Sequence, residues 1–476
     1  MAARVPAART APPRDRGALR TLADQAFSRS AGAPLIAGNA VNVLRDAAEN
    51  YPAWEQAIRD ARRTIHMEMY IFHRDSVGRR YVNLLAERAR AGVIVRIAYD
   101  WFGCGIGPTL GLFGPLIAAG GQVRAFNPPR FGTALGWIRR NHRKLLIVDS
   151  DIAFISGLCI GEQWEGRPDK GREPWRDTGV EIRGPAVAHA ERGFAESWRF
   201  CNGESLAVAP PSEAAAEQAG PVNLRIIPTE PFSAALFRTD LLVAAMARQT
   251  LWIADAYFIG HGPFVAALQQ AASDGVDVRL LVPQGSDVGW TVPLSRTLYR
   301  TLLESGIRIF EWNGTMMHAK TAVADGRWTR VGSTNLNINS WLGNWELDVA
   351  IEDETVAGTM EDYYEDDLER STEIVMEGRR PRVARLPRRR ARNSARRALR
   401  TMTGISHSVS AAVTGNRQLE AWEWSPLLTL GGLLVALAAL TWWKPAWLAW
   451  PATIVMGAVG LGFIARAVSL WRHGSV

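Results

Sequence analysis

Two stretches of the chain, NHRKLLIVD (141–149) and MHAKTAVAD (317–325), carry the same three functional groups at the same spacing. They are His142, Lys144 and Asp149 in the first, and His318, Lys320 and Asp325 in the second. Of 55 lysines and arginines only four are lysines, Lys144, Lys170, Lys320 and Lys444, so lysine in both stretches is a selective choice. A lysine ammonium is a compact, mobile point charge suited to one phosphate oxygen, whereas arginine forks onto two. An imidazole beside it can attack phosphorus or protonate a leaving oxygen. One imidazole cannot occupy both apices of an in-line displacement, so the two copies together make one site. One histidine attacks; the other acts as acid and then as base for the second step. The lysines neutralise the phosphoryl oxygens. The six other histidines, His66, His73, His189, His261, His407 and His473, show no metal-ligand spacing. Neither a metal nor a cofactor is expected.

Two histidines that face each other need two similar scaffolds, and the sequence repeats accordingly. RRTIHMEMYIF (62–72) has the character of a buried strand, and RQTLWIADAYFIG (248–260) is its counterpart. GVIVRIAYD (92–100) matches GVDVRLLVP (275–283), and VRAFN (123–127) matches IRIFE (307–311). Strands alternating with helices imply an α/β protein of two alike lobes about a pseudo-two-fold axis, with mixed sheets flanked by helices. NGESLAVAPPSEAAAEQAGP (202–221) has linker composition. This gives a first lobe over 31–201, a linker over 202–222 and a second lobe over 223–376. Residues 1–30, rich in Ala, Arg and Pro and without a signal-peptide core, are expected to be a flexible tail. The acidic run EDYYEDDLER (361–370) is expected to form a solvated face without chemistry.

With 476 residues and 47% hydrophobic content, the chain is too apolar to be disordered and long enough for several domains. Cys104, Cys159 and Cys201 fit neither a disulfide framework nor a zinc site, which points to a reducing compartment. The net charge of +8 is misleading, because residues 379–400 hold eleven arginines and no acid, leaving the rest of the chain at −3. A nucleic-acid enzyme concentrates positive charge at its site, so a nuclease is disfavoured and no nucleic-acid partner is expected. Past a basic segment over 377–424 come two apolar runs of 17 and 20 residues, 427–443 and 446–465. At 1.5 Å per residue these span about 25 and 30 Å, enough for a bilayer core. A transmembrane hairpin over 425–466 follows, with tryptophans at its ends and a tail over 467–476. Arginine on both flanks places both lobes and the tail on the cytoplasmic side, with Lys444 at the distal tip.

The doubled His-x-Lys-x4-Asp pattern resembles the phospholipase D superfamily, and the second copy continues as that family does, with GSTN at 332–335. The resemblance implies that Ser333 and Asn335 hold phosphate oxygens. In the first copy, SGLCIGEQW (156–164) is similar to the GGxN form of bacterial cardiolipin synthases, with Cys159 where the amide should stand. A thiol is a weak donor, so that phosphate contact is lost or passes to water. Segments 38–72, 175–187, 256–260 and 344–351 also resemble cardiolipin synthases, in the same order. By this resemblance Asp177 and Glu346 are the carboxylates that orient the histidines. Asp149 and Asp325 complete the motif, but they end apolar strands and are expected to bond neighbouring backbone more than to act on substrate. The implied function is a phosphatidyltransferase of the bacterial inner membrane that acts on phospholipids, phosphatidylglycerol first, with His142 as nucleophile. A phosphodiester hydrolase stays open, as does a non-catalytic membrane scaffold on account of Cys159.

Overall fold

In the computed structural model, residues 16–105, 108, 110–128, 139–206, 219–377 and 380–383 are described. The first half supplies β1 (Ile36–Arg45), β2 (Thr64–Met69), β3 (Ile94–Asp100), β4 (Gln122–Phe126), β5 (Leu145–Val148), β6 (Ile152–Ser156) and β7 (Thr178–Arg183). The second supplies β8 (Val222–Thr229), β9 (Thr250–Asp255), β10 (Asp277–Pro283), β11 (Arg308–Trp312), β12 (Lys320–Ala324), β13 (Trp328–Gly332) and β14 (Glu346–Glu352). Two further strands, β15 (Ser371–Glu377) and β16 (Arg380–Val383), extend its edge. The first half is ordered β1-β7-β6-β5-β2-β3-β4 and the second β8-β14-β13-β12-β9-β10-β11, so strand for strand the second repeats the first.

The two expected sheets are one. β1 pairs antiparallel with β8, joining the halves into a single 16-stranded mixed sheet. The side chain of Asn39 holds the junction by donating to the carbonyls of Ile36 and Val222. Within each half, β2–β3–β4 and β9–β10–β11 run parallel, linked by crossover helices such as Ser76–Arg90. That helix buries Val77, Tyr81, Val82 and Leu85 at helical spacing, and Asp75 caps it through the Gly78 N–H. Gly78 is obligatory, since a Cβ there would lie 1.7 Å from the His73 carbonyl oxygen.

Three expectations about the periphery need correction. Residues 16–31 form a helix, not a flexible tail; it packs on the helix Ala235–Met246, with Phe27 against the second-half core and under the Arg225 guanidinium. Residues 380–383, assigned to the basic segment, are strand β16 because the β15 edge offers them hydrogen bonds. The acidic run is no mere solvated face: Asp367 is buried in the helix Glu354–Glu369 and accepts from Arg176 and Arg45 of the first half. The expected hairpin lies outside the described residues; among those described, no helix is long and apolar enough to cross a membrane.

Asp149 and Asp325 also need reassigning from the catalytic set. Each sits in the left-handed region, φ 55° and 52°, at the end of its motif strand away from the histidine. Asp149 accepts from the backbone N–H groups of Arg62, Arg63 and Thr64, and Asp325 from those of Arg248, Gln249 and Thr250. Each thus ties the start of the neighbouring strand, β2 or β9, to the motif strand. Asp149→Ala loses three charge-assisted hydrogen bonds and a residue that tolerates αL, so urea unfolding should show a loss of about 2–3 kcal/mol. Activity per folded molecule should stay close to that of the parent.

Candidate active site

His142 and His318 stand just before β5 and β12, at the same end of the sheet. Backbone hydrogen bonds bridge the halves at both points. The His142 N–H donates to the Trp345 carbonyl at 2.8 Å, and the His318 N–H donates to the Arg176 carbonyl at 2.7 Å. These bridges bring the residue after each carbonyl, Glu346 or Asp177, under the opposite half's histidine. His142 Nδ1 lies 2.9 Å from Glu346 Oε2 and 3.0 Å from the Ser333 carbonyl oxygen. His318 Nδ1 lies 2.6 Å from Asp177 Oδ2. Each imidazole is therefore oriented by the other half, and neither half holds a complete site.

The hydrogen-bond geometry fixes the tautomers. Nδ1–H faces an acceptor in both rings, which leaves Nε2 with its lone pair for chemistry. Burial drives the pKa of both histidines down; the positive charge of Lys320 adds to this at His318, which falls to about 4. Burial pushes Asp177 and Glu346 up, but the histidine and lysine partners outweigh it and hold both below their ordinary values. The resting state is two neutral imidazoles donating to two carboxylates.

Lys144 and Lys320 are fully buried at the centre, and each folds back to its own histidine's carbonyl oxygen, Lys144 at 2.5 Å. Desolvation lowers both, Lys320 to about 8. Their charges reach across: Lys320 acts on His142 and Lys144 on His318, so all four groups share one field. Two cations within reach of two imidazoles form a receptor for one phosphodiester anion.

The remaining expected residues divide. Asn335 is buried beside the site, and its Oδ1 has no hydrogen-bond partner among the described residues. Ser333 is not free for phosphate: its hydroxyl donates to Glu346 Oε2 at 2.6 Å and accepts from the Leu347 N–H at 2.9 Å, making it a prop for the carboxylate. Its counterpart in the first half is Gly157, where a Cβ would come within 2.1 Å of Asp177 Oδ1. Cys159 is fully buried near Lys144, and burial raises its pKa, keeping it a neutral thiol.

Residues 243–368 match the family model described as cardiolipin synthase, PLD-like domain. Cardiolipin synthase A of Pseudomonas syringae pv. syringae is 32% identical over 363 residues, covering 74% of this chain and 73% of that protein. A cardiolipin synthase of Clostridium perfringens is 30% identical over 352 residues, covering 71% and 72%. The chain belongs to the cardiolipin synthase family. Its doubled motif is that of the phospholipase D-like domain of this family. It spans 65% of the length of cardiolipin synthase 2 of Bacillus anthracis, at 31% identity. In fold it is similar to the crystal structure of a phosphatidylserine synthase from Haemophilus influenzae Rd KW20. That similarity has a TM-score of 0.57 at 14% identity, over 74% of this chain and 91% of the other.

In this cardiolipin synthase-family site, four aromatic residues escaped the sequence reading. Tyr70 packs on His142 with 4.7 Å between ring centroids and lies under Lys144; Tyr257 packs on His318 at 6.0 Å and lies under Lys320. The signal available was an aromatic after the buried strand in each half, MYIF and DAYF. Trp164 and Trp175 pack on His318 at 5.5 and 5.4 Å. The Trp164 indole N–H also donates to Asp177 Oδ2 at 3.1 Å, the oxygen that holds His318. Trp164→Phe keeps an aromatic ring but deletes this donor. It should lower kcat about tenfold with little change in KM, because one charged hydrogen bond on the orienting carboxylate is lost, while the volume lost from this buried position should also lower the unfolding midpoint.

Proposed function

We propose that the protein moves a phosphatidyl group from phosphatidylglycerol, through a phosphohistidine on His142, to the hydroxyl of a second glycerophospholipid. The observation that supports this most is the pair of crossed histidine–carboxylate contacts around two buried lysines. His142 Nε2 attacks phosphorus, the bond from phosphorus to the departing glycerol oxygen breaks, and His318 Nε2–H passes its proton to that oxygen. Charge on the bound phosphate favours the imidazolium that His318 needs as acid. In the second step His318 takes the proton of the acceptor hydroxyl, the acceptor oxygen attacks phosphorus, and the bond to His142 breaks. Atoms and protons balance to cardiolipin and glycerol. The lobes carry out this chemistry at the cytoplasmic face of the membrane, tethered by the apolar runs over 427–443 and 446–465.

Full-length protein in detergent with phosphatidylglycerol should yield cardiolipin and free glycerol. Phosphatidic acid as the only lipid product would instead assign a hydrolase. The alternative of a degenerate scaffold rests on Cys159. Because Lys144, Lys320 and Asn335 remain to hold the phosphate, the parent protein should be active and Cys159→Asn should change its turnover by no more than about tenfold. A silent parent awakened by Cys159→Asn would establish the scaffold reading.

A further inference from the structure

The site lies at the sheet end where β2, β3, β8, β9 and β10 finish. The connections there expose large apolar side chains from both halves. Phe232, after β8, is 73% exposed; Phe102, after β3, and Trp290, after β10, are each 59% exposed. Ile338, three residues past Asn335, is exposed as well. Each adjoins the site. The Arg139 guanidinium lies over Phe232 at 5.3 Å and that of Arg140 over Phe102 at 6.0 Å, and these two arginines lead directly into Asn141 and His142. Tyr257, which packs on His318, donates its hydroxyl to Asp287 at 2.7 Å, three residues before Trp290. The Asn337 amide, next to Ile338, donates to the Tyr257 carbonyl at 3.2 Å. Among the described residues, the opposite end exposes the ion pairs Arg63–Asp151 and Arg327–Glu354, along with apolar side chains such as Ile94 and Met246.

We propose that this rim is a bilayer-docking surface for anionic phospholipid, with Phe102, Phe232 and Trp290 inserted at headgroup depth around the mouth of the site. The inference rests on the lipid-transfer reading above and adds the face by which substrate enters. Aromatic tips with the exposed Arg139 guanidinium among them match an interface that is apolar inside and anionic at its surface. A second copy of the chain is a poorer occupant, because a two-fold contact centred on this rim would set the exposed Arg139 against its own like charge. Docking by this face shortens the path of a phosphodiester that must leave the bilayer while its acyl chains stay in it.

The test places an environment-sensitive nitrobenzoxadiazole label on Phe102→Cys, Phe232→Cys, Trp290→Cys and, as control, Ile94→Cys in the full chain. The native Cys104, Cys159 and Cys201 are buried and should not take the label. In vesicles of phosphatidylglycerol and phosphatidylcholine, the three rim labels should shift to the blue and be quenched by brominated acyl chains, while the label at position 94 should not. Rim labels quenched no more than the control would overturn the proposal. So would a blue shift in lipid-free detergent that grows with protein concentration, which marks a second copy. The triple variant Phe102→Ser, Phe232→Ser, Trp290→Ser should lose at least about tenfold in kcat/KM on vesicles and stay within about twofold of the parent in mixed micelles. Equal loss in both media, or no loss on vesicles, would also overturn it. An inactive parent would count against lipid transfer instead, and the quenching result would still decide the docking face.

Discussion

A phosphate-bearing peptide containing His142 should accumulate when His318→Ala is given a phosphatidyl donor whose leaving group, such as p-nitrophenolate, departs without a proton. The first step then no longer needs the acid. The second step does need the missing base, because His318 is the group that takes the acceptor's proton in the proposed scheme. On phosphatidylglycerol itself the variant should lose about 10⁴-fold or more in kcat, the size expected when an acid–base partner is removed from a group that acts as a unit. The adduct should be labile to acid and stable to alkali, as a phosphorus–nitrogen bond is. His142→Ala should give no adduct. Label in the peptide around His318 of His142→Ala would reverse the roles, which the pseudo-symmetry of the fold allows.

That pseudo-symmetry is also what the sequence displays best. The spacing of His142, Lys144 and Asp149 against His318, Lys320 and Asp325 is local, and so is the alternation of strand and helix around it; both follow from short-range pattern. Which carboxylate serves which histidine is a long-range fact. Glu346 is 204 residues from His142 and Asp177 is 141 from His318, and a repeat reads the same whether the pairs lie within halves or across them. The role of Ser333 was obscured for a related reason, because its hydroxyl is spent on Glu346 and only the folded contact reveals that. Asp367 resembled surface because its neighbours do; its burial comes from Arg176 and Arg45 reaching over from the other half. The helix over 16–31 has weak periodicity and draws its order from the surface it lands on.

The crossed carboxylates make a prediction that separates the two histidines by pH. Asp177→Asn and Glu346→Gln can still accept from Nδ1–H, so orientation survives in large part, but neither can stabilise an imidazolium by charge. Each should lower kcat by about 10²- to 10³-fold. Asp177 acts to raise the pKa of His318, and Glu346 that of His142, against the burial that lowers both. Removing either charge therefore lowers the pKa of its own histidine further. With His318 as acid, Asp177→Asn should move the alkaline limb of the kcat/KM profile to lower pH; with His142 as nucleophile, Glu346→Gln should move the acid limb to lower pH instead. Opposite assignments of the limbs would exchange the histidines' roles. Stability should carry the same signature. A histidine whose folded pKa is lowered to about 4 refuses a proton that the unfolded chain accepts near 6.5. The contribution of His318 is thus fully present above pH 6.5 and is lost as pH falls through about 4. His318→Gln, which can donate to Asp177 without titrating, should flatten the fall in unfolding free energy across that window, and an unchanged slope would show that His318 is not the group refusing the proton.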